Sequence, residues 1–226
     1  MNPKKYYGSK GKYLEEHKTY FSKKQLQKDI NFIIDTLKLN KKDKILDLAC
    51  GNGRHTLEFK KMGFDIEGLD YSVHLLKMAH DNAKQQKLDI TFHKCDIHNI
   101  DIDKKYDKIF LFFSEFGLFD ADKVLKNVSK LLKPNGLFLL DYDNVFRLIQ
   151  HLAKNNKSSF KFDFVNMELQ EQTDGNLRVR YYTVPELDTL LKRNKLKIKN
   201  IYGNYEKEEL DINSRRIIFI AKKMSS

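Results

Sequence analysis

Short apolar runs alternate with stretches of helical periodicity along most of this chain. Ser22-Lys-Lys-Gln25 reads as a capping box opening a helix that carries Leu26, Ile30, Ile33, Ile34 and Leu37 on one face. Residues 44–48 then form a first strand, followed by a helix over 54–63 and a second strand over 64–69. Ser72 caps a further helix, in which Val73, Leu76, Ala79 and Ala83 recur at helical spacing. Residues 90–94 alternate weakly, whereas 108–113 are continuously apolar, as a strand buried on both faces must be. Val124, Leu125, Val128, Leu131 and Leu132 mark the next helix, which Pro134-Asn-Gly136 turns into a strand over 137–140. This alternation predicts a doubly wound, mostly parallel α/β sheet with right-handed crossovers and helices on both faces.

Beyond residue 143 the alternation breaks. Residues 144–154 carry a helical stripe of Val145, Leu148, Ile149 and Leu152. The segments 160–169 and 177–184 read as a hairpin around Thr173-Asp-Gly-Asn176. Thr183-Val-Pro-Glu186 forms a second capping box, with Pro185 in the first turn of a helix bearing Leu187, Leu190 and Leu191. Residues 197–202 and 216–221 supply two closing strands.

Composition narrows the partners. A chain of 226 residues that is 41% hydrophobic and 32% charged suits a soluble globular protein with a sizeable core. No apolar run approaches the roughly 20 residues that span a bilayer. Met1-Asn-Pro-Lys-Lys-Tyr-Tyr lacks the apolar stretch of a secretory leader, so a cytoplasmic location without a membrane partner is expected. Cys50 and Cys95 read as free thiols, and His74, His80, His93, His98 and His151 lack ligand spacing, so no metal is expected. A net charge of +11 raises the question of nucleic acid. The excess is mostly lysine scattered along the chain, so that partner stays open but is not favoured.

The chemistry concentrates at Ile45-Leu-Asp-Leu-Ala-Cys-Gly-Asn-Gly-Arg-His55. A buried strand runs into a glycine-rich turn and then a helix, which presents backbone N–H groups to a ligand. Asp47 lies just before the turn, and the second strand leads into Asp70, placed to take ribose hydroxyls. A nicotinamide fingerprint needs a third glycine where Thr56 stands, and Asp47 would repel a pyrophosphate. S-adenosylmethionine has a sulfonium, an amino group, a ribose and no phosphate. Its charges fit better.

These residues also carry a resemblance. Asp47-Leu-Ala-Cys-Gly-Asn-Gly-Arg-His55, Gly68-Leu-Asp-Tyr-Ser72, Cys95-Asp96, Ser114-Glu-Phe-Gly117 and Leu132-Lys-Pro-Asn-Gly136 resemble, in order, motifs of the class I S-adenosylmethionine-dependent methyltransferases. Tyr182-Thr-Val-Pro-Glu-Leu187 is a weaker echo. The similarity is to the small-molecule branch whose first motif runs D-L-x-C-G-x-G-R-H. It implies a Rossmann-like, seven-stranded sheet with the last strand antiparallel and a small β-hairpin excursion after strand five. It further implies S-adenosyl-L-methionine as cofactor, S-adenosyl-L-homocysteine as product, and contacts from Asp47, Ala49, Gly51, Gly53, Arg54, Asp70, Tyr71, Asp96, Ile97 and Phe113. Asp47 would face the amino or sulfonium end, and Asp70 both ribose hydroxyls. Tyr71 would pack on the adenine, whose edge Asp96 and the N–H of Ile97 would read. Plainer alternatives stand beside these: a loop cap at Asp47, a turn aspartate at Asp70, an Asx-turn at Asp96 and core packing at Tyr71. His55 is assigned no proton transfer.

The expected activity is in-line methyl transfer to an oxygen, nitrogen or carbon nucleophile on a small molecule. Phe113-Ser-Glu-Phe-Gly117 lacks the Asn/Asp-Pro-Pro-Tyr/Phe sequence of enzymes that methylate adenine, cytosine or glutamine amino groups. Neither cysteine lies where a covalent nucleophile is needed. Asp141, Glu115 and Tyr142 are the acid–base candidates, none of them diagnostic. Rival readings are an RNA or protein methyltransferase, a non-catalytic module that binds the cofactor, and a disfavoured nicotinamide oxidoreductase. One domain is expected over 1–226, with an N-terminal cap and helix (1–40), a cofactor-binding core (41–142), a substrate-side excursion (143–184) and a closing helix and strands (185–226). Tyr6, Tyr7, Tyr13 and Tyr20 suggest that the first twenty residues fold over the cofactor only when it is bound. The patterns fix neither the acceptor nor the oligomeric state.

Overall fold

The computed structural model describes residues 7–8, 11, 15, 22–114, 116–154, 160–171 and 178–225. Its helices are α1 (Lys23–Leu37), α2 (Arg54–Lys61), α3 (Val73–Gln85), α4 (Ala121–Leu131), α5 (Val145–Lys154) and α6 (Val184–Arg193). Its strands are β1 (Lys44–Leu48), β2 (Asp65–Asp70), β3 (Phe92–Lys94), β4 (Tyr106–Leu111), β5 (Leu132–Asp143), β6 (Phe160–Asp163), β7 (Glu168–Glu171), β8 (Arg178–Arg180), β9 (Leu196–Tyr202) and β10 (Arg216–Lys223). Seven of them form one sheet in the order β3-β2-β1-β4-β5-β10-β9. β1 to β5 are mutually parallel, and β10 runs antiparallel between β5 and β9. Strand order reverses between β1 and β4, so the cleft expected of this architecture lies above their carboxyl ends.

The continuous apolar runs are explained by two cores, one on each face. Along β10, Ile217, Phe219 and Ala221 enter one core with Val124, Leu125 and Val128 of α4 and Leu187 and Leu191 of α6. Ile218 and Ile220 enter the other, with Ile30, Ile33 and Leu37 of α1 and Phe59 of α2. β4 and the residue after it divide the same way, Ile109 and Leu111 against Phe110 and Phe112. A period of two therefore survives inside runs that look uniform in sequence. By this alternation Asp47 and Asp141 share the α1–α2 face with Ile45 and Leu139.

Two local features differ from expectation. Ser22 Oγ accepts the Gln25 N–H at 3.2 Å, but Gln25 does not reach back; its amide donates to Asp29 Oδ1 at 2.8 Å. Pro134-Asn-Gly136 does not separate α4 from the next strand. β5 begins at Leu132, and Asn135 at φ 64° with a register shift against β4 absorbs the kink.

The excursion is a three-stranded antiparallel sheet, β6-β7-β8, one strand richer than a hairpin. Asp163 Oδ1 accepts the N–H groups of Val165 (2.9 Å) and Asn166 (3.0 Å), which turns the chain before Met167 at φ 52° and splits the expected long strand. Thr173-Asp-Gly-Asn176 lies outside the described residues. β8 abuts a 3₁₀ turn (Phe116–Leu118) so closely that a Cβ on Gly117 would lie 1.7 Å from the Arg180 carbonyl oxygen. After β8, the N–H and hydroxyl of Thr183 both donate to the Glu186 carboxylate at 2.8 Å, opening α6 as expected. Among the described residues no helix is long and apolar enough to cross a membrane.

Candidate active site

The turn between β1 and α2 bends through positive φ at Ala49 (54°), Gly51 (57°) and Gly53 (77°). A side chain on Gly53 would press on Ala79 at 3.0 Å and Phe92 at 3.2 Å, so this glycine lets α2 start close against α3 and β3. At Gly51 an added Cβ would meet only Leu75, at 3.8 Å, an ordinary van der Waals contact.

Asp70, at the tip of β2, ties this turn down. Its Oδ2 accepts the Gly51 N–H at 2.8 Å and its Oδ1 the Ser72 N–H at 2.8 Å. Burial nonetheless raises its pKa above the usual carboxylate range. One strand over, Asp47 is buried and accepts from Thr56 Oγ1 at 2.7 Å. Burial, with the nearby Asp70 charge adding, pushes its pKa up to about 7. Two acids thus stand at adjacent parallel strand tips, poorly compensated by cations, and a cationic ligand would relieve both.

Tyr71 meets Tyr7 edge to face with ring centroids 6.2 Å apart, and Ser72 Oγ donates to the Tyr7 carbonyl at 2.9 Å. The Tyr71 hydroxyl is buried without a hydrogen-bond partner. Tyr6, Tyr13 and Tyr20 lie outside the described residues. Asp96 forms the Asx-turn weighed above. Its Oδ1 accepts from the His98 N–H (2.9 Å) and Nδ1 (2.7 Å), which lowers its pKa, and the following Ile97 is buried.

The start of α2 is pinned from α1. Arg54 Nη2 donates to Asp29 Oδ2 at 2.7 Å, and His55 Nε2 lies 3.2 Å from the same oxygen. Asp29 is 1% exposed. Burial lowers the pKa of His55, whose ring sits edge-on to Phe112. Sequence reasoning missed Asp29. The available signal was an acid on the apolar stripe of α1.

A second polar cluster lies at the carboxyl end of β5. Asp141, fully buried, accepts from Arg216 Nε on Oδ1 (2.7 Å) and from the Phe113 N–H and Tyr205 hydroxyl on Oδ2 (2.9 Å each). Arg216 also donates through Nη1 to Asp143, while its Nη2 is buried without a partner. Phe113 follows β4 at φ 54°. Arg216 and Tyr205 were missed as well, although a charge opening an otherwise apolar strand was visible at Arg216. Tyr142 points to the opposite face; its hydroxyl donates to the Tyr182 carbonyl at 3.3 Å and its ring stacks on Phe219. Glu115 lies outside the described residues. Among the described residues no group of three or more His, Cys, Asp or Glu could hold a metal ion.

A nucleotide-binding sheet whose switch point carries acids and a glycine turn defines a class, and comparison with known proteins gives the family. Residues 39–206 match the family model described as a methyltransferase domain. The chain belongs to that family and is an S-adenosylmethionine-dependent methyltransferase. It is 25% identical over 213 residues to YqeM of Bacillus subtilis, named as a methyltransferase, covering 82% of this chain and 86% of that one. It is 30% identical over 158 residues to a glycine/sarcosine N-methyltransferase of Aphanothece halophytica, 66% of this chain but only 59% of that enzyme. The fold is similar to the crystal structure of an S-adenosylmethionine-dependent methyltransferase from Clostridium acetobutylicum, with a TM-score of 0.76 at 23% identity over 94% of this chain and 99% of that one.

Proposed function

We propose that this methyltransferase acts on a small molecule bearing an oxygen, nitrogen or carbon nucleophile, with the cofactor held by the β1–α2 turn and the tips of β1, β2 and β3. The observation that carries the reading is the pair of buried acids, Asp47 and Asp70, flanking the β1–α2 glycine turn. Asp70 accepts backbone N–H groups from Gly51 and Ser72, and a carboxylate offers about four lone-pair positions, so it keeps acceptor capacity for ribose hydroxyls. Asp47 would draw the amino and sulfonium end. Ala49, Gly51, Gly53 and Arg54 would form the cradle, Asp96 and Ile97 would meet the adenine edge, and Tyr71 its face. Phe113 would border the sulfur. When bound, S-adenosylmethionine supplies a methyl carbon already activated for in-line attack, so the chain's main tasks are orientation and exclusion of water.

Neither acid–base candidate that is described supports a protein base, because Asp141 and Tyr142 are engaged in bonds to Arg216, Tyr205, Phe113 and Tyr182. The small β6-β7-β8 sheet packs on the turn after β4 and would wall the acceptor side. A relative named for glycine and sarcosine adds weight to a small, amine-bearing acceptor. The test is calorimetry with S-adenosylhomocysteine followed by transfer of labelled methyl into pools of small amines, alcohols and acids, total RNA, and protein. Asp70→Ala is expected to weaken binding about 100-fold, the loss of roughly two hydrogen bonds to a charged acceptor. Label entering only RNA or protein would overturn the small-molecule assignment.

A further inference from the structure

Phe113 stands in a backbone region that bulky residues avoid, and a buried neighbour helps to hold it there. At φ 54° an aromatic side chain crowds its own carbonyl, so this conformation persists only where surrounding bonds impose it. Asp141 supplies several. Its carboxylate takes the Phe113 N–H at 2.9 Å, and its main-chain carbonyl takes the Ser114 N–H at 3.3 Å and hydroxyl at 3.1 Å. The carboxylate is itself fixed by Arg216 Nε at 2.7 Å and the Tyr205 hydroxyl at 2.9 Å. The Arg216 guanidinium also lies over the Phe113 ring, 5.4 Å from its centroid. One buried carboxylate therefore sets the backbone of the turn, and the cation paired with it sets the ring. A few residues on, Gly117 is pressed against the β8 backbone, so the segment is gripped from β5 and from β8.

We propose that Asp141 is a positioning residue for methyl transfer: it holds Phe113 in the left-handed conformation that places this residue beside the cofactor's sulfur. The proposal rests on the cofactor site described above. It gives Asp141 a role through Phe113, not as a base.

Calorimetric titration with S-adenosylhomocysteine of the full chain and four variants tests it. Asp141→Ala removes the anchor and is expected to weaken binding at least 10-fold. Asp141→Asn has one oxygen, which serves both the Phe113 N–H and the Tyr205 hydroxyl when the NH2 is turned toward Arg216, and it is expected to stay within 3-fold of the parent protein, even if its melting temperature falls. Phe113→Gly adopts the left-handed conformation without help, so Phe113→Gly/Asp141→Ala is expected to bind no more weakly than Phe113→Gly alone. If Asp141→Ala does not fold, amide exchange at Phe113 in Asp141→Asn carries the test. It should remain slow, and exchange as fast as that of an exposed loop amide would overturn the proposal. Parent-like binding by Asp141→Ala, an Asp141→Asn as weak as Asp141→Ala, or losses that multiply in the double variant would each overturn it too. A parent protein that does not bind S-adenosylhomocysteine would instead remove the cofactor site itself, and the proposal with it.

Discussion

A carboxyl group pushed up to about 7 by burial makes Asp47 a proton-linked residue. An unfolded aspartate titrates near 3.9, so between about pH 4 and pH 7 the folded chain holds a proton that the unfolded chain has released. Stability therefore falls as pH rises through that window, and the full cost, about 4 kcal/mol for a shift of this size, is in place above pH 7. Asp47→Asn removes the linkage. Its unfolding free energy, measured in denaturant from pH 4.5 to 8, should lose the part of the slope that the parent protein shows. Binding a cation beside Asp47 reverses the preference, so S-adenosylmethionine should expel a proton when it binds near pH 6, and its affinity should rise up to pH 7. Heats measured at pH 6 in two buffers of different ionisation enthalpy should differ in the parent and agree in Asp47→Asn; equal heats in the parent would refute the linkage. Asp47 and Asp70 were legible in the sequence because a local strand–turn–helix grammar places them. Their partners were not. Asp29 meets Arg54 across 25 positions and Asp141 meets Arg216 across 75, and contacts at such separations leave no local period to read.

At the next scale, the link between α1 and α2 makes the N-terminal helix a brace of the turn proposed to hold the cofactor. Asp29 receives Gln25, Arg54 and His55, and Arg54 is the first residue of α2, directly after the last glycine of the turn. Asp29→Ala should lower stability by about 3 kcal/mol, the scale for removing one partner of a buried pair. It should also weaken S-adenosylhomocysteine binding, since α2 loses its brace; unchanged affinity in a destabilised protein would confine Asp29 to folding. Gly53→Ala probes the same junction from the other side. Positive φ and the contacts with Ala79 and Phe92 should together cost about 2 kcal/mol, read as a lower denaturation midpoint. Elements themselves were read well wherever periodicity was local, as in α3, α6 and β4. Expectation failed where neighbouring backbone decided the outcome. β5 extends beyond its apolar run because β10 pairs with it as far as Asp143, and Asp163 breaks the 160–169 run by capping a turn.

Over the whole molecule, the placement of charge bears on the proposed acceptor class. Lys197 and Lys199 of β9 and Lys222 and Lys223 of β10 surround a depression of about 310 Å³. Lys197 pairs in register with Lys222, and Lys222 lies opposite Leu137, which is level with Lys108 of β4 and Ile45 of β1, so this cluster sits at the amino edge of the parallel strands. The glycine turn and both buried acids lie at the carboxyl edge. Phosphates attracted to the lysines would be held at the wrong end of the sheet for methyl transfer. Lys223 also donates to the carbonyls of Ser129 and Leu132 and supports the end of α4, so it is left intact in the test. The triple variant Lys197→Glu/Lys199→Glu/Lys222→Glu should abolish whatever RNA binding the parent shows at low salt. That binding should itself fall steeply with added salt, as counterion release requires. S-adenosylhomocysteine affinity should stay within 2-fold of the parent, because the two sites lie at opposite ends of the strands and exposed charges are screened beyond about 10 Å. Filter binding and calorimetry on the same preparations give both numbers. RNA that survives the charge reversal, and whose binding tightens when S-adenosylhomocysteine is present, would place a nucleic-acid acceptor at the carboxyl edge and overturn the small-molecule reading.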